Sequence, residues 1–138
     1  MDKETLKNLL RQILEEENGE CPVKLRKVPS VRVSEEDRLQ TGNPSDRVYT
    51  HDLFTTGESP RLGCGIMEME KTTFPWTLHY DELDYVISGS LTVELGHHKI
   101  TAAPGEVIFI PKGSSIRFSV PDKARFLYVT YPADWKSV

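Results

Sequence analysis

Cysteine is scarce in this chain of 138 residues: there are two, Cys21 and Cys64. Two thiols at irregular spacing build neither a disulfide framework nor a cysteine-based zinc site; both are expected to be reduced, with Cys64 buried. Histidine is almost as sparse, with four residues, His51, His79, His97 and His98, and no three of them have the spacing of a metal ligand set. No apolar run approaches the ~20 residues of a membrane-spanning helix. The start of the chain lacks the uninterrupted apolar core of a signal peptide. A cytoplasmic protein with no membrane partner is therefore expected. Basic residues are also short, 17 against 21 acidic ones for a net charge of −4, which argues against nucleic acid as a partner. What remains, 38% hydrophobic and 28% charged, is ordinary for one globular domain with a core.

The pattern along the chain divides it into three parts. In residues 1–18, Leu6, Leu9, Leu10, Ile13 and Leu14 repeat at helical spacing and predict an amphipathic helix over Leu6–Glu17, stopped by Asn18-Gly19. Residues 19–46 are rich in breakers and read as a linker with short extended pieces such as Val28–Val33; Ser34 is placed to cap a helical turn through Glu35-Glu36-Asp37. From 47 to 138 the pattern becomes many short strands: 48–54, 62–70, 76–79, 82–88, 90–95, 98–102, 107–110, 115–119 and 125–131. Gly96-His97 reads as a hairpin turn and Ser88-Gly89-Ser90 as another. An all-β sandwich or small barrel follows. Trp135, near the end, needs a packing partner.

Two runs carry finer information: Pro75 through Gly89, in which Glu82 is followed after six residues by Gly89, and Gly105 through Ile116, in which Gly105 is followed after five residues by Pro111-Lys112-Gly113. Together and in this order they resemble the two motifs of the cupin superfamily. The resemblance implies a jelly-roll β-barrel. It also implies a metal site in which the first motif gives two histidines and a glutamate, and the second a third histidine. Here the glutamate remains as Glu82. The histidine positions read Trp76 and Leu78 (Pro75 and Thr77 if the spacer is one longer) and Ile116. An aliphatic side chain has no lone pair to donate, so no transition-metal site is expected.

A closer resemblance lies in Phe74-Pro75-Trp76-Thr77-Leu78, Tyr80-Asp81-Glu82, Ile110 through Ile116, and Arg125-Phe126-Leu127-Tyr128-Val129. These strings look like those of the EutQ family of ethanolamine utilisation proteins. The resemblance implies acetate kinase activity (acetyl phosphate plus ADP to acetate plus ATP), with Mg2+ and ATP/ADP as transient partners and no tightly bound cofactor. It further implies work in or at a bacterial microcompartment. Nothing in composition or spacing alone leads to a kinase, and a non-catalytic assembly or cargo–shell bridging protein stands beside it.

Strand alternation puts Glu82, Asp84 and Val86 on one face. If Glu82 faces inward, so does Asp84, and the two carboxyls form an acid/base pair with at least one pKa raised; otherwise Asp84 makes a rim ion pair. Glu82, Asp84 and Tyr80 are the candidate catalytic residues, and Trp76, Asp81 and Lys112 the candidate substrate-binding ones. Trp76 and Tyr80 either wall a ligand site or fill the volume that metal and water occupy in other cupins. Lys112 and Arg117 either meet phosphate or are solvated loop charges. His51 and His79 read as surface or hydrogen-bonded groups, and His97 and His98 as a solvated hairpin tip. The helix of residues 1–18 either packs on the barrel or enters a groove of a microcompartment shell protein. A homodimer through edge strands and swapped termini is expected.

Overall fold

The computed structural model describes residues 2–17 and 21–137. Helix α1 spans Lys3–Glu17. It begins three residues before the predicted start because Asp2 caps it, Oδ1 accepting from the Thr5 N–H at 2.6 Å. The predicted stop at Asn18-Gly19 lies outside the described residues. The stripe Leu6, Leu9, Leu10, Ile13 and Leu14 faces solvent rather than the barrel, each residue 41–58% exposed. Arg61 Nη1 ties α1 to the rest, at 2.7 Å from Glu4 Oε1 and 3.3 Å from Asn8 Oδ1.

The linker is strapped down by arginines. Arg125 Nη2 donates to the carbonyls of Val28 and Val31 at 2.8 and 3.0 Å, while its Nη1 meets Glu68 Oε2 at 2.6 Å. The piece expected to be extended opens instead with a 3-10 turn, Val28–Ser30, because Pro29 presets the turn dihedral and Arg125 gathers the carbonyls on either side. The second turn, Glu35–Asp37, forms where Ser34 predicted it, with Asp37 Oδ2 accepting from the Ser34 N–H at 2.9 Å.

Seven antiparallel strands follow: β1 Arg47–Asp52, β2 Gly63–Thr77, β3 Asp81–Gly89, β4 Leu91–Leu95, β5 His98–Ala102, β6 Val107–Ile110 and β7 Ser115–Tyr131. Hydrogen bonding runs β1-β2-β7-β3-β6, and β4 joins β5 to β7. The result is an all-β cupin jelly roll. Its frame is the pair β2 and β7, in register from Gly63↔Thr130 to Thr77↔Ser115. Each was expected as two short strands, 62–70 with 76–79 and 115–119 with 125–131. Instead each is one long strand that bends. Pairing slips between Glu70 and Thr72, where Lys71 adopts a φ of 46°, and the local kink lets both strands serve two walls of the barrel.

Gly96-His97 is the hairpin between β4 and β5. Ser88-Gly89-Ser90 is not a hairpin, because β3 and β4 do not pair. β3 ends against Ala124 and β4 begins against Ser119 of the same strand β7, so this segment is a corner. Gly89, at φ 76°, is packed too closely on the Lys123 carbonyl to carry a side chain.

Candidate functional site

β3 reads inside out. Its inward residues are Glu82, Asp84 and Val86, and its outward ones include Leu83 and Tyr85, both about 45% exposed. Glu82 and Asp84 thus share the barrel interior, with 6% and 0% exposure. Burial lifts the Glu82 carboxyl to about 7. Burial, and then the charge of Glu82, lifts Asp84 well above the ordinary carboxylate range. Asp84 lies beside Glu82, whose charge and side-chain hydrogen bond both act to keep the Asp84 carboxyl protonated, and the buried Thr50 of β1 lines the same interior.

Aromatic rings close the mouth above the pair. The Trp76 Nε1 donates to the Tyr80 hydroxyl at 2.7 Å. Trp135, near the end of the chain, lies over them with ring centroids 6.2 Å from Trp76, 6.1 Å from Tyr80 and 5.6 Å from Tyr128. Tyr80 and Tyr128 are fully enclosed, and burial, reinforced by nearby carboxylates, pushes both phenols upward. Tyr128 donates to Asp52 Oδ1 at 2.6 Å. That bond exists because position 65 is glycine: a Cβ there would collide with the tyrosine hydroxyl.

The space left among Thr50, Trp76, Tyr80, Glu82, Tyr128 and Trp135 is about 10 Å³, the threshold for a single water. Outside the plug lies a cleft of about 390 Å³ lined by Thr41, Thr77, His79, Trp76, Trp135 and Lys136 among others, a size that suits a small ligand. Lys136 Nζ lies 5.2 Å from the Trp135 ring centroid.

The residues expected to act together are therefore only partly assembled. Tyr80, Glu82, Asp84 and Trp76 converge. Asp81 and Lys112 do not line the interior or the cleft: both side chains are exposed, and the Asp81 carboxylate is occupied in accepting the Lys112 backbone N–H at 2.8 Å. Asp84 makes no rim ion pair. Trp76 and Tyr80 pack across the mouth and also border the outer cleft. Trp76 and Ile116, two of the positions where histidines would stand, face each other as direct strand partners. His51 Nδ1 lies 3.0 Å from Asp37 Oδ1; His79, His97 and His98 are exposed. Cys21 is exposed and Cys64 is half-buried rather than fully so, its thiol pushed up by burial.

Magnesium prefers oxygen ligands and keeps several waters. Glu82, Asp84 and Thr50 offer the right donor atoms, but a space for one water does not accept a hydrated ion or a nucleotide. Neither fits the closed interior.

Sequence reasoning missed Thr50, Tyr128, Trp135 and Lys136. Thr50 sits on a strand remote from the motifs, and Tyr128, though within the run Arg125–Val129, carries no sequence sign of where its hydroxyl points. The demand of Trp135 for a partner was readable, but its place over Tyr80 was not, because the segment after β7 folds back across the mouth.

A family model described as "Ethanolamine utilisation protein EutQ" matches residues 1–137. A Clostridioides difficile (strain 630) protein named acetate kinase EutQ is 57% identical, covering 99% of this chain and 96% of its own length. The Salmonella typhimurium protein of the same name is 47% identical over 63% of this chain, which corresponds to 38% of its own length. The solved Clostridium difficile EutQ structure superposes with a TM-score of 0.82 at 66% identity, covering 84% of this chain and 85% of that one. The cupin domain of Schizosaccharomyces pombe Cnp3, at 18% identity and a TM-score of 0.56 over 78% of this chain and 73% of that one, shares the fold alone.

Proposed function

Because this chain belongs to the EutQ family of ethanolamine utilisation proteins, we propose that it is an acetate kinase whose reactive centre is the Tyr80/Glu82/Asp84 interior. The observation that carries this reading is the near full-length match to a relative of that name. The reaction moves one phosphoryl group: the bond from phosphorus to the acetyl oxygen of acetyl phosphate breaks, and a bond from phosphorus to a terminal oxygen of ADP forms. Acetate leaves as the carboxylate, and the negative charges balance without a net proton.

The buried carboxyl pair supports a reactive interior. A group at about 7 holds or releases a proton near neutrality, which suits steering the protonation of a phosphate-bearing ligand. The closed mouth adds a requirement. Substrate first occupies the outer cleft beside His79 and Lys136, and the Trp135 segment swings aside to expose Glu82. Lys136, rather than Lys112, meets phosphate charge. Enclosure of the reacting groups by a moving segment excludes water, whose attack would only hydrolyse acetyl phosphate.

A second reading rests on α1. Its unpacked apolar stripe supports a helix-in-groove contact with a shell protein, and with it a cytoplasmic protein in or at a bacterial microcompartment that bridges cargo and shell. The two readings are compatible, and they separate in one experiment. Purified chain is supplied with acetyl phosphate, ADP and magnesium, and ATP is measured. An acetate kinase gives ATP in proportion to protein and loses it in Glu82→Gln; a purely assembling protein gives none.

A further inference from the structure

The cleft outside the plug continues past Trp76. A second hollow of about 310 Å³ is lined by Arg38, Leu39, Gln40, Trp76 and Lys136, and two of these, Trp76 and Lys136, also line the outer cleft of about 390 Å³. The two hollows adjoin along one indole and one ammonium. The wall that the linker adds is held in place by β1: the Leu39 N–H donates to the Val48 carbonyl at 2.9 Å, and Arg38 forms an isolated β-bridge with Tyr49. The Arg38 guanidinium is spent on bracing its own loop. Nε donates to the Asp46 carbonyl at 3.0 Å and Nη2 to the Pro44 carbonyl at 2.9 Å, while Nη1 meets Glu35 Oε2 at 3.2 Å. Two polar groups of the hollow are left to bind something. Lys136 lies over Trp135 and acts on Asp37 through its charge without a salt bridge. The Gln40 side chain is exposed, and among the described residues its amide makes no hydrogen bond.

We infer that the second hollow is the base subsite of a nucleoside diphosphate: an adenine ring lies against Trp76, the Gln40 amide reads its edge, and Lys136 directs the diphosphate toward the outer cleft. An acyl phosphate alone leaves most of this space empty, whereas a nucleotide asks for roughly 300–1,000 Å³. The groove also offers, side by side, what a nucleotide needs: an aromatic ring for the base, a carboxamide for its edge and a cation for its phosphates. The Trp76 indole is held ready for the base, since its Nε1 is fixed on the Tyr80 hydroxyl at 2.7 Å. A carboxamide carries a donor and an acceptor together, the complement of the adenine amino group and its neighbouring ring nitrogen. Guanine has an acceptor where adenine has that amino group, so Gln40 is the residue that sets base preference. The choice of a nucleotide rests on the phosphoryl-transfer reading; the location of its base and the role of Gln40 go beyond it.

The test is equilibrium binding of ADP and GDP to the full chain with magnesium, each displacing a fluorescent ADP analogue, beside initial rates of ATP formation from acetyl phosphate. The wild type is expected to prefer ADP over GDP by about tenfold or more, the worth of one bidentate base contact. Gln40→Ala should erase that preference. Gln40→Glu, which presents acceptors alone, should turn it toward guanine, whose edge carries paired N–H donors. Gln40 is exposed, so both variants keep the fold. Lys136→Gln should weaken ADP and GDP alike by about tenfold, through the lost charge on phosphate, and leave their ratio unchanged. A wild type indifferent to the base, a ratio unmoved by both Gln40 variants, or a ratio that Lys136→Gln moves as far as Gln40→Ala would each overturn the subsite. ATP formed with a base preference that ignores Gln40 removes the subsite and keeps the kinase. Base preference that follows Gln40 with no ATP from any protein removes the kinase and keeps the subsite.

Discussion

The Trp76 indole donates to the Tyr80 hydroxyl across 2.7 Å, and that bond fastens two rings over a mouth where other cupins admit metal and water. Trp76 also faces Ile116 across the strand pair. An indole and an aliphatic chain now meet where imidazoles would converge, while Glu82 keeps its place beneath them.

Replacing Trp135 by alanine tests the plug. The truncation removes a ring in contact with Trp76, Tyr80 and Tyr128, and large aromatic truncations cost about 3–5 kcal/mol when buried. Thermal unfolding should fall accordingly, and an apolar dye should gain access to the native barrel. If Trp135 is a moving cover, apparent affinity for acetyl phosphate changes more than the stability of the barrel alone predicts. A variant as stable and as impermeable as the wild type contradicts the packing described.

The carboxyl pair gives a pH dependence of definite sign. Both native pKa values lie above their ordinary ones, so between about pH 4.5 and 7 the folded state binds more protons than the unfolded state. Stability then falls as pH rises through that window. For Glu82, moved from 4.5 to about 7, the full loss is on the order of 3 kcal/mol, at 1.36 kcal/mol per unit. Denaturant unfolding should show the wild type more stable at pH 5.5 than at pH 8, and Asp84→Asn should flatten the slope and raise stability at pH 8. A stability that climbs across this range in the wild type sinks the assignment of a raised pair.

Position 65 tolerates only glycine. Gly65→Ala would force the Tyr128 hydroxyl off Asp52, leaving a buried phenol unpaired at about 1–3 kcal/mol with overpacking added. Urea unfolding should record a loss of more than about 2 kcal/mol, roughly the sum of those effects, and Tyr128→Phe should not restore it, because the ring carbon Cζ and the His51 carbonyl still meet the added Cβ. A Gly65→Ala variant as stable as the wild type contradicts the clash.

The helix stripe predicts the opposite pattern. Leu9 and Leu10 are exposed, so charging either should move stability by no more than about 0.5 kcal/mol. Co-sedimentation with assembled shell protein should nonetheless be lost in Leu9→Glu and in Leu10→Glu. Destabilisation of several kcal/mol would show that the stripe is packed after all.

The barrel was readable because turn glycines and Pro111 sit at fixed intervals and because Glu82 and Gly89 bracket one strand. The interior pairing of Glu82 with Asp84 followed from alternation alone. What escaped were properties that need the third dimension. The long bent strands β2 and β7 pass through Pro75 and Pro121, which local rules treat as ends, because a bulge lets the chain bend without leaving the sheet. Asp81 and Lys112 stood beside the right neighbours in sequence, yet alternation turned Asp81 outward to hold a backbone N–H. Trp135 entered the mouth from a segment with no motif at all.

The proposed phosphoryl transfer places the chemistry in the enclosed carboxyl pair and not in the helix. The most direct measurement is initial ATP formation from acetyl phosphate and ADP by wild type, Glu82→Gln, Asp84→Asn and Leu10→Glu, each checked for native near-UV signal. The expected result is at least a hundredfold loss in Glu82→Gln, a loss of tenfold or more in Asp84→Asn, and an unchanged rate in Leu10→Glu. Equal rates in the wild type and both carboxamide variants would contradict it.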